Sequence, residues 1–229
     1  GSKFGNKDKS TEQIKVPKSL GFLRDTSVSM SLTMAVLFFI VAPFAGKEFI
    51  ETELSNGQNY LVYSFMQAIT FAAGVYIILA GVRMLIAEII PAFKGIADKL
   101  VPNAKPALDC PTIFPFAPNA VIIGFLTSFI AGLLSMFILS FIGLSVIVPG
   151  LIPHFFTGAT AAVFGNATGG RRGAILGAFV NGLLISFLPA ILLPILGGLG
   201  FENTTFGDSD FAVVGILISE IVKLVGYIF

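Results

Sequence analysis

The sequence predicts an all-α polytopic membrane protein with about six crossings and re-entrant helical hairpins. Three observations carry that reading. First, 55% of the 229 residues are hydrophobic, only 12% are Asp, Glu, Lys or Arg, and the mean hydropathy is +0.91. Charged residues usually make up about a quarter of a soluble domain. Second, the apolar residues come in uncharged runs long enough for spanning helices, which need about 20 in a row. They lack the alternation over about ten residues that marks a barrel strand. Third, the charges are sided.

The elements follow in order. Residues 1–25 form a basic leader carrying Lys3, Lys7, Lys9, Lys15, Lys18 and Arg24. It is polar and has no apolar signal-peptide core. Residues 26–46 are uncharged and can span. Residues 47–58 are a polar loop with Glu48, Glu51 and Glu53. A second apolar stretch covers 59–82. Residues 85–100 mix charge with apolar residues and read as an amphipathic interfacial helix broken at Pro91. Further spans are expected at 119–148, 151–170, 173–200 and 211–229, with an acidic loop at 202–210. Three regions result: the leader, then 26–106 with two spans and the interfacial helix, then 107–229 with the re-entrant hairpin and the core spans.

Charge tests this layout. With the leader cytoplasmic and six crossings, every Lys and Arg except Lys47 falls on or near the inside. Glu48, Glu51, Glu53, Glu202, Asp208 and Asp210 fall outside. That is the asymmetry of the positive-inside rule.

The composition also limits the chemistry. Cys110 is the one cysteine and His154 the one histidine. The chain therefore forms no internal disulfide and no multi-cysteine zinc site, and it has no His pair. No catalytic residue, metal, cofactor or nucleic-acid partner is expected.

Two interruptions stand out. Residues 107–119 read Ala-Leu-Asp-Cys-Pro-Thr-Ile-Phe-Pro-Phe-Ala-Pro-Asn, with Pro111, Pro115 and Pro118 close together. Proline breaks a continuous helix, yet Ile113, Phe114 and Phe116 are apolar. Apolar side chains on broken backbone suggest a re-entrant hairpin, which membranes tolerate only where protein buries it or it lines a water-filled cavity. Asp109 begins the segment. A carboxylate carried into a membrane marks a functional site by default, and it suits sugar hydroxyls or a helix N-cap. The second interruption, 148–173, contains Pro149, Pro153 and Phe164-Gly-Asn-Ala-Thr-Gly-Gly-Arg-Arg-Gly173. It lacks the Gly-Lys-Ser/Thr ending of a P-loop and reads as the closure of a helix hairpin, with Arg171 and Arg172 facing inside. Gly169, Gly173 and Gly177 sit at a spacing that lets helix backbones approach. Glu220 and Lys223 are expected to pair on the last helix. His154, Thr157 and Asn166 are secondary candidates for substrate contact or gating.

These residues carry a resemblance. Ala107–Pro111, Phe114–Asn119, Pro153–Thr160 and Val163–Gly173 resemble the corresponding stretches of ascorbate-specific enzyme IIC proteins of the bacterial phosphotransferase system. So do Leu184–Pro189, Asn203–Phe206 and the junction-like Lys18–Asp25. The resemblance implies a multi-pass protein of the bacterial inner membrane, a homodimer built from two inverted repeats. It implies L-ascorbate as substrate and a phosphorylated enzyme IIB as partner, with the bilayer as solvent. The IIB phosphocysteine supplies the phosphoryl group, so the chain needs no carrier residue of its own. Asp109 becomes the expected contact to ascorbate hydroxyls, with Cys110 and Pro111 shaping the site. This sequence corresponds to the second half of such a chain, so the N-terminal half of the same protein is also an expected partner. An isolated half is not expected to transport.

The residues by themselves leave rivals open. Asp109 or Glu220 could serve an ion-coupled symporter. A galactitol-type enzyme IIC lies in the same broad class. A membrane-embedded enzyme would need a paired acid–base or metal constellation, and none is visible. A channel would need rings of polar residues, against which the proline hairpins argue.

Overall fold

The computed structural model describes residues 3–14, 26–102 and 110–226. Those residues form helices and the turns between them, with no strand among them. They divide into two compact units: residues 15–112, and residues 1–14 together with 113–229.

The first unit holds α1 (Thr26–Ala45), a short α2 (Lys47–Phe49) running into a π-helical turn (Ile50–Leu54), and α3 (Tyr60–Lys99). Gly46, at φ 94°, turns the chain by 108° between 31–45 and 47–54. Glycine reaches that φ without a Cβ penalty. Asn59 caps α3 by accepting the Leu61 N–H at 3.0 Å, and Glu51 accepts the Tyr60 N–H at 3.1 Å. Thus an acidic loop residue anchors the start of the next helix, where the helix dipole favours negative charge. One stripe of α3, Ser64, Ala68, Ala72, Val75 and Leu79, is buried. Met34, Ala35 and Ala42 of α1 are buried as well, and the two helices pack together. The outward faces keep apolar side chains such as Phe44 and Ile77 exposed, as lipid contact requires.

One expectation changes here. Residues 59–82 and 85–100 form one 40-residue helix, and Pro91 lies inside it. A proline inside a helix loses its hydrogen bond to the preceding turn and crowds the carbonyl four residues back, which can kink a helix without ending it, and Ala87, Glu88, Ala92 and Lys94 around it are good helix formers. The separate interfacial helix is therefore the charged end of α3.

The second unit begins after α4 (Cys110–Ile113), whose last residue belongs to it. A 3-10 turn (Phe114–Phe116) leads to α5 (Pro118–Phe141), α6 (Leu151–Gly198) and α7 (Ser209–Gly226). At about 1.5 Å per residue a straight α6 would be about 72 Å long, more than twice the hydrocarbon thickness. It is not straight. Gly169 and Gly170 leave helical geometry, Gly170 at φ 58°. A Cβ on Gly165 would strike the Gly173 carbonyl, and one on Gly177 would lie 2.9 Å from the Ala161 oxygen. Thr157 bonds Asn181. Those pairings define an antiparallel hairpin with arms 151–168 and 171–198. The glycine spacing therefore serves packing within one hairpin.

α5 lies against both arms. Its buried face combines small residues, Ala120, Gly124, Ser128, Ala131, Gly132 and Ser135, with the larger Val121, Phe125, Phe129 and Leu139. A Cβ on Gly124 would collide with Ala162 and Gly158, and one on Gly182 with Ser128 and Ala131. In lipid, where apolar burial gives little drive, such close backbone approach is what holds helices together. α7 packs on α6, with Gly215 against Leu192. Glu220 and Lys223 pair at 2.6 Å on its exposed face, as their spacing predicts.

By length and composition three helices can cross a membrane, α3, α5 and α6, and a fourth span is available if the bent pair 31–45 and 47–54 counts as one. Two physical reasons separate this from six. α6 supplies both 151–170 and 173–200 as one folded helix. α7 carries Asp210, Glu220 and Lys223, a heavy charge load for one span. The predicted span 119–148 also ends early: α5 stops at Phe141 and the chain runs non-helically to Gly150.

Candidate functional site

Asp109 lies outside the described residues, and with it the acceptor expected to be central. The adjoining backbone is broken as the prolines require: four residues of α4, a 3-10 turn, then α5 with Pro118 at its start. Cys110 is half-buried. Phe114, almost fully buried, sets its ring edge-on to Phe155 at 5.5 Å and stacks on Phe156 at 6.2 Å. Phe116 is exposed. One apolar side chain therefore pins the turn to the first arm of α6.

Four polar side chains meet inside the second unit. Asn181 on the second arm donates both amide hydrogens, to Thr157 Oγ1 at 2.8 Å and to Ser128 Oγ at 3.3 Å. Thr157 passes its own hydrogen to the Pro153 carbonyl at 2.8 Å. Ser128 Oγ lies 2.8 Å from His154 Nδ1. Ser128 Oγ accepts from Asn181, and which of Ser128 and Nδ1 donates to the other is set by the histidine tautomer. His154 is 1% exposed and Ser128 is fully buried. The imidazole stands edge-on to Phe129 at 5.8 Å and packs over Gly132, where a Cβ would lie 2.5 Å from Nε2. Polar groups that leave water at this depth need partners, and the network supplies them across α5 and both arms of α6.

The sequence candidates thus divide. His154 and Thr157 are brought together. Asn166, on the same helix, is elsewhere: its Oδ1 accepts the Thr11 N–H at 2.9 Å, and its Nδ2 donates to Ser10 Oγ at 3.1 Å. The leader, described over 3–14, packs on the hairpin turn and on the start of α5. Glu12 accepts from the Ala120 and Asn119 amides at 3.1 and 3.3 Å. Arg171 donates Nε to the Ser10 carbonyl and its amide to the Lys9 carbonyl. Ser128 and Asn181 were missed in the sequence. Asn181 left a signal, because it is the one amide side chain within the apolar run 173–200. Ser128 left none, since serines recur along α5.

Apolar outward faces, two-arm packing on small residues and polar groups gathered inside define a multi-span helical membrane protein. More particularly, the chain belongs to the family described as "PTS system sugar-specific permease component", which it matches over residues 1–210. It is also similar to the protein named "Ascorbate-specific PTS system EIIC component" of Mycoplasma pneumoniae, with 31% identity over 205 residues. That alignment covers 77% of this chain and 31% of the relative, so the chain spans about a third of the relative's length.

Proposed function

We propose that this chain is part of the membrane-embedded, substrate-translocating component of a phosphotransferase system. It takes up L-ascorbate as a partner enzyme IIB phosphorylates it. The observation that carries this reading is the family match along nearly the whole chain. The similarity to an ascorbate-specific component supports the choice of substrate. The broken backbone at 110–117 supports a transporter, because non-helical backbone at membrane depth recurs at substrate sites of transporters. In this reading Asp109, Cys110 and Pro111 contact ascorbate, Asp109 through its acceptor oxygens. The protein works as a homodimer in the bacterial inner membrane, together with the remainder of its own chain.

The mechanism is group translocation. The helical core binds and reorients the substrate, and the phosphoryl group comes from IIB. The test is uptake of labelled L-ascorbate by cells making the complete protein, with the phosphorelay intact or deleted. Label recovered as a phosphate ester only with the relay present is the expected result, and Asp109→Asn should abolish it. Unmodified ascorbate accumulating without the relay would replace the proposal with an ion-coupled symporter. Preferential uptake of galactitol would move it to the galactitol type.

A further inference from the structure

Cations gather at one end of the second unit, where the leader crosses the α6 turn. The Asn6 amide donates to the Gly169 carbonyl at 2.9 Å, and the Arg171 amide donates to the Lys9 carbonyl at 2.8 Å. Arg171 Nε is tied to the Ser10 carbonyl at 3.1 Å. These bonds bring Lys3, Lys7 and Lys9 of the leader beside Arg171 and Arg172 of the turn, and all five residues are exposed. None of them forms an ion pair among the described residues. The acids nearby are Asp8 and Glu12, and Glu12 is already engaged by the α5 amides. Positive charge is therefore in excess, and it stands on the surface.

The opposite end of the same unit has the other character. Residues 142–150 carry no charge, and the stretch 201–210 carries only Glu202, Asp208 and Asp210. These stretches adjoin, because 147–150 and 205–207 line one cavity.

Apolar surface begins directly below the cations. Phe164 on the first arm of α6, and Ile175 and Leu176 on the second, are exposed. At about 1.5 Å per residue, Ile175 lies only ~5 Å along its arm from Arg172. Arms whose outward side chains sit in hydrocarbon thus hold the cations at the level of lipid headgroups, where long basic side chains keep their charge in water. The leader also carries one large apolar side chain at this place. Phe4 is 73% exposed, and its neighbour Gly5 is pressed against Gly169, where a Cβ would strike the carbonyl. An aromatic ring among exposed cations is the composition of a membrane-surface anchor.

We propose that the leader and the α6 turn form a docking surface for anionic phospholipid headgroups, with Lys3, Lys7, Lys9 and Arg172 on the phosphates and Phe4 in the acyl boundary. A soluble acidic protein would match the charge, but it would not account for Phe4 or for the apolar arms that continue the surface. Arg171 is a positioning residue, since its bonds hold the leader in place. The proposal is independent of the transported substrate.

The chain contains no tryptophan, so Phe4→Trp places a single fluorescent reporter at the surface. The purified chain is reconstituted in vesicles of phosphatidylcholine with about 20 mol% phosphatidylglycerol, an anionic surface that attracts basic segments. Acyl-brominated lipid, which quenches tryptophan on contact, replaces either the phosphatidylglycerol or an equal amount of the phosphatidylcholine. Brominated phosphatidylglycerol is expected to quench as if enriched about fivefold around the reporter, the gain from one basic residue at an anionic surface. Phe141→Trp, exposed at the far end of α5 and roughly 30 Å along the helix, is the control and should show no preference. Lys7→Gln with Arg172→Gln removes two cations whose side chains make no hydrogen bond among the described residues, and should bring the preference below about twofold. Should that pair fail to fold, ~1 M salt on the Phe4→Trp protein serves instead, because the screening length falls to about 3 Å and the preference should collapse. Equal quenching by the two brominated lipids, the same preference at Phe141→Trp, or a preference indifferent to both the paired substitution and salt would each overturn the proposal. So would its loss on adding inorganic phosphate at constant ionic strength, which would assign the surface to a soluble phosphate.

Discussion

Thr11 and Asn166 stand 155 residues apart in sequence, yet the Thr11 amide donates to Asn166 Oδ1 at 2.9 Å. Thr11 is fully buried and Asn166 nearly so. Around this bond the leader is fastened at both ends, to the α6 turn through Gly169 and Arg171 and to α5 through Glu12. A hydrophilic segment thus becomes a strap across two helices.

Replacing Asn166 with Ala removes the acceptor and leaves a buried amide unpaired, a cost of about 1–3 kcal/mol. The strap should open more often. Trypsin cleavage at Lys7 and Lys9 is expected to accelerate about tenfold relative to the parent protein, while cleavage at Lys94 should keep its rate.

Glu12 caps α5, which has no side-chain cap from its own N-cap residue, Ala117. Glu12→Ala should cost about 0.5–1 kcal/mol, and Glu12→Gln less, since the amide oxygen still accepts but loses the attraction to the helix dipole. Thermal unfolding in detergent reads the order: parent, then Gln, then Ala. Raised salt should narrow the gap between parent and Gln.

Gly170 is a sharper test. Its φ is 58°, and a Cβ there would run into the Asn6 and Lys9 carbonyls. Gly170→Ala should both strain the turn and expel the strap. Deleting residues 1–14 removes the second penalty, so the two changes together should cost less than their sum. A double-mutant cycle in thermal stability measures that coupling, and simple additivity would contradict the packing described.

Glycines elsewhere should behave differently. Gly158 faces Ser128, where a Cβ would lie within collision range, whereas Gly81 on α3 has open space around it. Gly158→Val is expected to prevent α5 from seating, seen as loss of a monodisperse folded peak. Gly81→Ala should be neutral or stabilising by up to about 1 kcal/mol, through helix propensity alone.

Much of the architecture was legible locally. The long apolar runs became helices, the Phe164–Gly173 run closed a hairpin at Gly169–Gly170, and Pro111, Pro115 and Pro118 broke the backbone before α5. Glu220 and Lys223 paired as their spacing required. Each depends on residues within one or two turns, where periodicity and backbone sterics act. Pro91 misled because a proline can sit within a helix without ending it, and α3 continues through it. The boundary of 119–148 misled because hydropathy alone does not say where a helix stops.

Sequence by itself determined that the chain must live in a bilayer, that it is helical, and where its backbone must turn. Only the tertiary structure decided which polar groups face one another. Ser128 and Asn181 complete the His154 network because α5 lies in the groove between two arms, and the strap finds Asn166 because the hairpin turn lies beside the start of α5. A buried hydrogen-bonding group must have a partner. The amino-acid order states that requirement, but the partner it finds can lie 155 positions away.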